Sequence, residues 1–291
     1  MNFSALHQQV KQQTDASLLT LIDELPDYAP RLKDAMRHAL LAGGKRMRPL
    51  LVQVVGNTLD VPKKDQMAIS MAIECVHAYS LVHDDLPAMD DDDLRRGMPT
   101  CHIAFDEATA ILAGDALQAM AFEVLSQTPC DSRILVKLIQ IMAKACGLIG
   151  MAGGQSLDLE AENQTVSLEQ LQKIHAAKTG ALLTACVDMV CELSGNKMAA
   201  VDLHQFAEHF GMAFQIVDDI LDVTADTETL GKPAGSDEAL NKSTYPSLMG
   251  LTGAKVAAES HIQICFDCLS AVNLPSNKLT KLTQFVLNRG H

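Results

Sequence analysis

Tryptophan is absent from this 291-residue chain, and aromatic residues together make up only 4% of it. Strands draw preferentially on aromatic and β-branched side chains, so this scarcity argues against a sheet-rich fold. No alternating apolar–polar run is long enough to suggest a sheet. A Pro/Gly/Ser-rich linker, a low-complexity tract and a 30–45-residue repeat are also missing, which leaves one domain over 1–291 as the simplest organisation. The longest charge-free stretches, such as 145–157, fall short of the ~20 apolar residues that cross a bilayer, and no membrane span is expected.

Positive charge is scarce. Lys and Arg number 23 against 36 Asp and Glu, a net charge of −13. An acidic surface repels phosphate backbones, so nucleic acid is excluded as a partner. Most of that charge serves solubility. The eight cysteines, with no secretory signal, are expected as reduced thiols in a cytoplasmic protein. Cys265 and Cys268 form a lone C-x-x-C with no second pair and no companion His, too little for a zinc or redox centre.

What the chain does contain is helical. Ala, Leu and Met are plentiful. Apolar periodicity marks a first helix ending near Pro26 and a second from Pro30 to Gly43-Gly44. Further segments follow at roughly 48–59, 64–89, 102–126, 131–151, 167–194, 199–226, 252–272 and 277–289. Residues 227–246 break the pattern with Gly, Lys, Asp and Pro and read as a long surface loop.

Two carboxylate clusters stand out: Asp84-Asp85 with Asp90 to Asp93, followed by Arg95-Arg96-Gly97, and Asp218-Asp219-Ile-Leu-Asp222. Asp218 and Asp222 share one helical face, where like charges repel unless a cation lies between them. Hard oxygen ligands suit Mg²⁺, which completes its shell with water and substrate phosphates. Asp84 and Asp90 are six apart and do not share a regular helical face, but Pro87 can end or bulge the helix between them. Apolar residues precede both clusters, so both are expected at the ends of buried helices facing a common cavity. Either cluster alone could be a solvated acidic cap. Together with the cations Arg95, Arg96, Lys232 and Lys242 they meet what a diphosphate requires.

A third motif, Gly43-Gly44-Lys45-Arg46-Met47-Arg48-Pro49, puts three cations on a glycine-opened turn before a helix. Glycine lets a backbone approach an anion, and Arg supplies a two-pronged donor. It lacks the spacing of a Walker loop. An ordinary helix C-cap with solvated basic residues is the alternative. His77 lies seven residues before Asp84, on roughly the same helical side, and is read as a further diphosphate contact.

With Gly154-Gln155-x-x-Asp158, Lys178-Thr179-Gly180, Phe214-Gln215 and Gly231-Lys232 with Lys242-x-Thr244-Tyr245-Pro246, these motifs stand in one order over nearly the whole length. In that order the chain resembles the trans-isoprenyl diphosphate synthase family, most closely its bacterial-type farnesyl diphosphate synthases. The resemblance implies an all-α single large helical bundle around a deep central cavity, working as a homodimer. It implies Asp84, Asp90 and Asp218 as ligands of about three Mg²⁺ ions per site, with Mn²⁺ as a substitute, supported by Asp85 and Asp222. Arg95, Lys178, Lys232 and Lys242 would bind the allylic diphosphate, and Lys45, Arg48, His77 and Arg96 that of isopentenyl diphosphate. Thr179, Gln215 and the Lys178 carbonyl would stabilise an allylic cation with dipoles. Tyr79, five residues before Asp84, with Ser80 beside it, would floor the chain-length cavity at fifteen carbons. Residues 227–246 and Asn288-Arg289 would form a lid that excludes water.

The alternatives are a ten- or twenty-carbon synthase, a metal-dependent phosphohydrolase suggested by the His83-Asp84 pair, and a non-catalytic partner subunit, which would be expected to have lost one cluster. Terpene cyclisation fits less well, because no cyclase-type motif replaces Asp218-Asp219-x-x-Asp222.

Overall fold

The computed structural model describes residues 2–224, 242–272 and 274–288. Within them the chain is all-α apart from one two-stranded hairpin. The helices are α1 (Phe3–Asp23), α2 (Pro30–Leu41), α3 (Met47–Thr58), α4 (Lys63–Asp84), α5 (Cys101–Ala104), α6 (Glu107–Ser126) and α7 (Ser132–Cys146). They continue as α8 (Met151–Ala161), α9 (Leu168–His175), α10 (Ala181–Ser194), α11 (Lys197–Thr224), α12 (Tyr245–Ala271) and α13 (Asn277–Leu287). The strands are β1 (Leu94–Arg95) and β2 (Met98–Pro99), paired antiparallel. The proposed lid positions Gly231, Lys232 and Arg289 lie outside the described residues.

Local chemistry sets these boundaries. Pro30 opens α2, where its missing N–H costs nothing. A Ser167–Gln170 capping box starts α9, and a Thr244–Ser247 box starts α12. Gly195, at φ 67°, closes α10 in the left-handed conformation that glycine adopts freely. Helix α4 stops at Asp84, short of the 89 expected from periodicity, because Pro87 cannot donate to a continuing ladder. Helix α12 begins earlier than expected, at Tyr245, and turns through a non-helical Gly250 at φ 71°.

Two compact units result: Met1–Gln53 with Pro62–Leu135, and Val54–Val61 with Val136–His291. In the first, α4 packs along α6, burying Ile69, Ile73 and Val76 from one helix and Ala113, Leu117 and Ala121 from the other. In the second, α11 packs on α12 and α10, around a cluster including Leu171, Ile216, Val217, Ile220 and Tyr245. Three helical runs, Glu107–Ser126, Ser132–Ala161 and Leu168–Ser194, are long and apolar enough to cross a bilayer by length and composition. Charge-free length does not decide against a span, since a crossing run tolerates an occasional charge. Glu107–Ser126 turns part of its apolar surface into the core of the first unit.

Helix α8 and the turn at 176–180 went unrecognised in the sequence, and one contact explains both. The turn is a single π-helical turn between α9 and α10. It lies against α8 so closely that a Cβ on Gly154 would meet the Lys178 backbone nitrogen at 2.2 Å. Glycine sits in a helix interior here because nothing larger fits. Backbone cannot yield as a flexible side chain can, so Gly154→Ala should destabilise the protein by about 1–3 kcal/mol. Urea unfolding of the variant checks this, and an unchanged midpoint would refute it.

Candidate active site

The side chains singled out by sequence fall into two groups, one in each unit. In the first unit α4 delivers Asp84 and Asp85 at its C-terminal end. The chain then doubles back: the Asp90 amide donates to the Asp84 carbonyl at 2.8 Å, and that of Asp92 to the Asp85 carbonyl at 3.2 Å. Asp91 takes φ 52° to complete the reversal. This loop resolves the awkward six-residue spacing, for it returns Asp90 to the end of α4 beside Asp84. Both are part-exposed.

Asp85 is buried and differs from them. It accepts from Arg95 Nε at 2.6 Å, and Arg95 also pairs with Asp92 at 3.1 Å. Burial pushes the Asp85 carboxyl up, against the pull of Arg95. Arg95 and Arg96 sit on the hairpin, whose turn places Arg96 at φ 55° and Gly97 at φ 77°. Two successive positive φ values make the tight turn that suits strand twist, and this hairpin was not foreseen from sequence.

The basic turn at 43–48 splits its cations. Arg46 points inward, with its side chain 3% exposed, while Lys45 is exposed and Arg48 half-buried. Lys45 and Arg48 are the two cations of this turn that the resemblance names for isopentenyl diphosphate; Arg46 is not among them. Arg96 lies against the turn: its Nη1 donates to the Gly43 carbonyl, and a Cβ on Gly44 would meet that Nη1 at 2.7 Å. Burial, then the positive field of Arg48, Arg96, Arg46 and Arg95, holds the His77 imidazole well below its ordinary range. His77 is thus neutral among arginines.

Tyr79 is buried, edge-on to His83 at 5.9 Å, and Ser80 donates to the His77 carbonyl at 2.9 Å. His83 Nε2 lies 3.0 Å from the Ile111 carbonyl, and a Cβ on Gly114 would meet it at 2.1 Å. The His83 ring is thus packed onto α6 through Nε2.

In the second unit α11 presents Asp218, Asp219 and Asp222. Asp219 is buried and committed to structure, accepting from the Tyr245 amide at 3.0 Å and from Gln215 at 3.2 Å. Gln215 in turn accepts from the Thr179 hydroxyl at 2.8 Å, so the residues read as cation-stabilising dipoles form one chain. Lys178 donates to Asp158 at 2.6 Å, and Lys242 approaches the same carboxylate oxygen at 3.6 Å. Burial works against the Asp158 charge, but the two lysines outweigh it and hold its carboxyl below the usual range. Asp222 and Lys242 both line a cavity of about 780 Å³. Gln155 on α8 is buried, and among the described residues neither of its amide atoms finds a partner. Sequence reading gave Gln155 no role; an orphaned buried amide is a signal only structure supplies.

Among the described residues no three His, Cys, Asp or Glu side chains gather into a complete metal cage. The donors at Asp84, Asp90, Asp218 and Asp222 are all hard oxygens, which fits a cation such as Mg²⁺ that keeps its waters and takes substrate phosphates as further ligands.

Comparison with known proteins assigns the chain. The polyprenyl synthetase family model matches residues 29–270. The chain belongs to this family. It is 46% identical to the farnesyl diphosphate synthase of Haemophilus influenzae over 99% of both chains. Its fold matches the geranyltransferase of Legionella pneumophila with a TM-score of 0.89, at 38% identity, covering 99% of this chain and 97% of that one. It likewise matches the Helicobacter pylori geranyltransferase solved with magnesium and isoprenyl diphosphate, at TM-score 0.84 and 35% identity, covering 99% of this chain and 97% of that one.

His175 allows a pH test of this second group. It stacks on Tyr245, and burial lowers its imidazole to about 4. Its 4.0 Å approach to Asp219 is therefore no ion pair near neutral pH. The unfolded chain binds the proton near pH 6.5 while the folded protein does not, so stability is full above that value and falls as pH drops towards 4. The loss should reach up to about 3 kcal/mol. Denaturation midpoints of wild type and His175→Gln across pH 4–7 check this; the variant should lose less on acidification, and parallel curves would refute the assignment.

Proposed function

We propose that this chain joins isopentenyl diphosphate head to tail to dimethylallyl and then geranyl diphosphate, giving farnesyl diphosphate. The observation that carries the reading lies on α4. This helix carries His77 and, two turns later, ends in Asp84 with Asp90 folded back onto it. One element thus supports both an acidic, cation-accepting end and a basic, anion-accepting pocket. A reaction between two diphosphates, only one of which must ionise, needs such a pair. We also read residues 1–291 as one catalytic domain because no linker interrupts them, as cytoplasmic on the eight cysteines, and as a homodimer on the family resemblance alone.

Asp84, Asp90 and Asp218, with Asp85 and Asp222 behind them, would hold Mg²⁺, and the bound cations supply charge stabilisation for the allylic diphosphate as its C–O bond breaks. Lys178, Lys242, Arg95 and Lys232 would take up the remaining charge of that leaving group. Asp158 keeps Lys178 and Lys242 together before substrate arrives. Lys45, Arg48, Arg96 and His77 would bind isopentenyl diphosphate and orient its double bond towards the allylic carbon. The π-electron pair of that alkene forms the new carbon–carbon bond. The proton lost from the adjacent carbon passes to the released diphosphate, which already holds the electron pair of the broken bond. Thr179 and Gln215 would face the cation with oxygen dipoles, held in place by their mutual hydrogen bond. Tyr79, wedged beside His83, would stop the chain at fifteen carbons.

Mass spectrometry of products made from isopentenyl diphosphate with dimethylallyl or geranyl diphosphate tests the reading. A fifteen-carbon diphosphate that disappears on adding EDTA is expected. Asp84→Asn should lower kcat by about 10³-fold with the helical circular dichroism intact. Tyr79→Ala should lengthen the product, and an unchanged product spectrum would remove Tyr79 as the floor. A ten- or twenty-carbon main product from wild type would keep the reaction and replace the chain length. No condensation by folded protein would leave the partner-subunit reading.

A further inference from the structure

Of the cations in the basic turn, Arg46 is the one that no ligand can reach. Its Nε donates to Asp15 on α1 at 2.7 Å, its Nη1 to Glu74 on α4, and its Nη2 to the Leu40 carbonyl of α2 at 2.6 Å. The Arg46 and Glu74 side chains are each 3% exposed. Burial works against the guanidinium charge, but Glu74 and Asp15 outweigh it. The backbone of Arg46 takes φ 47°, which a non-glycine residue adopts only where its surroundings hold it. The neighbouring turn is tied down as well, with the Lys45 carbonyl meeting His7 Nε2 at 2.6 Å and the Gly43 carbonyl accepting from Arg96. Glu74 lies one turn before His77 on α4, so the Arg46–Glu74 pair joins the helix carrying His77 to the turn carrying Lys45 and Arg48.

We propose that Arg46 is a positioning residue for the isopentenyl diphosphate pocket, acting through Glu74 and Asp15 and never touching the ligand. The proposal rests on the reading of that pocket given above. Guanidinium is the group suited to this work, because its planar fork can hold two carboxylates and a carbonyl on three elements at once. Lysine has one compact head and cannot. Glu74 has a second duty. Its charge acts on Arg96 as well as Arg46, and it offsets the mutual repulsion of the neighbouring arginines before substrate binds.

The test separates binding of the two substrates. With geranyl diphosphate saturating, Arg46→Gln should raise KM for isopentenyl diphosphate by about tenfold or more, since displacement of binding groups by an ångström has effects of this order. The KM for geranyl diphosphate and kcat at saturation should stay within about twofold of wild type. Arg46→Lys should fall between. Isothermal titration with inorganic diphosphate in EDTA should show the same weakening without catalysis. The double variant Arg46→Met/Glu74→Leu refills the buried space with apolar atoms, so it should recover the melting temperature while KM for isopentenyl diphosphate stays raised. If Arg46→Gln does not fold, Asp15→Asn disturbs the network from its more exposed side and should raise the same KM with the melting temperature kept. An unchanged KM for isopentenyl diphosphate in the folded variants overturns the proposal. So does a rise in both KM values that tracks lost stability and disappears in the double variant. Failure of the underlying reading is distinct: Lys45→Ala and Arg48→Ala would then also leave KM for isopentenyl diphosphate untouched.

Discussion

Charge carried into a helical interior must be held by opposite charge before any ligand arrives, and both units are organised around that requirement. A bare buried ion costs several kcal/mol, and removing one partner of a buried pair is correspondingly severe. The structure answers with three small networks. Arg46 lies between Glu74 and Asp15, Arg95 between Asp85 and Asp92, and Asp158 between Lys178 and Lys242. Each centres on one charge gripped by two of opposite sign. In the third network the lysines belong to the proposed diphosphate site, so a bound diphosphate could share them with a carboxylate that already fixes where they stand. That spares reorganisation at the moment of reaction, which is where preorganised electrostatics gain their advantage over water.

These charges are aimed by backbone that departs from regular helix at few places. Asp91, Arg46 and Arg96 take positive φ, and residues 176–180 open a π turn. These four stand next to proposed ligand-binding side chains, although Asp60 and Asn163 also take positive φ. Conformations of this kind cost of order 1–3 kcal/mol and persist only where packing fixes them. The packing can be named. Gly154 admits the π turn against α8, and Gly211 does the same from α11, where a Cβ would approach the Gly180 Cα at 3.1 Å. The small residues make room for the irregular backbone, and the irregular backbone places Lys178 and Thr179.

Much of this was legible in the sequence. Helices α4 and α11 announce themselves through apolar periodicity followed by dense aspartates, and a carboxylate cluster at the end of a buried helix can be read without coordinates. The family motifs then fixed the order of the landmarks. Other features were hidden for definite reasons. Helix α8 contains Gly153-Gly154, which local propensity reads as a break, because the demand for close approach comes from residues some twenty positions away. The hairpin is two residues a side, below any periodic signal. Arg46 and Arg48 look equivalent in the string Lys-Arg-Met-Arg, and only the Asp15 and Glu74 carboxylates show that one of them turns inward. The double role of aspartates was likewise invisible. Asp218, Asp219 and Asp222 read as one motif, yet Asp219 spends its oxygens on Tyr245 and Gln215.

The proposed chemistry explains why two diphosphates would be held by different kinds of group. The allylic diphosphate must leave, and a leaving group is helped most by concentrated positive charge that strengthens as the C–O bond opens, which divalent cations on carboxylates provide. Isopentenyl diphosphate must keep its own C–O bond, whose rupture would give no resonance-stabilised cation. Arginine, lysine and a neutral histidine bind such a group firmly by spreading contacts over its oxygens, without the focused pull of a metal. Helix α4 would keep the two tasks apart. Seven residues separate His77 from Asp84, about 10 Å along a helix axis, so the proposed metal-binding end and the proposed basic pocket would be fixed by the same rigid rod. A mutation that bent or shifted this rod would disturb both substrates together, whereas one in the basic turn should be felt by one alone.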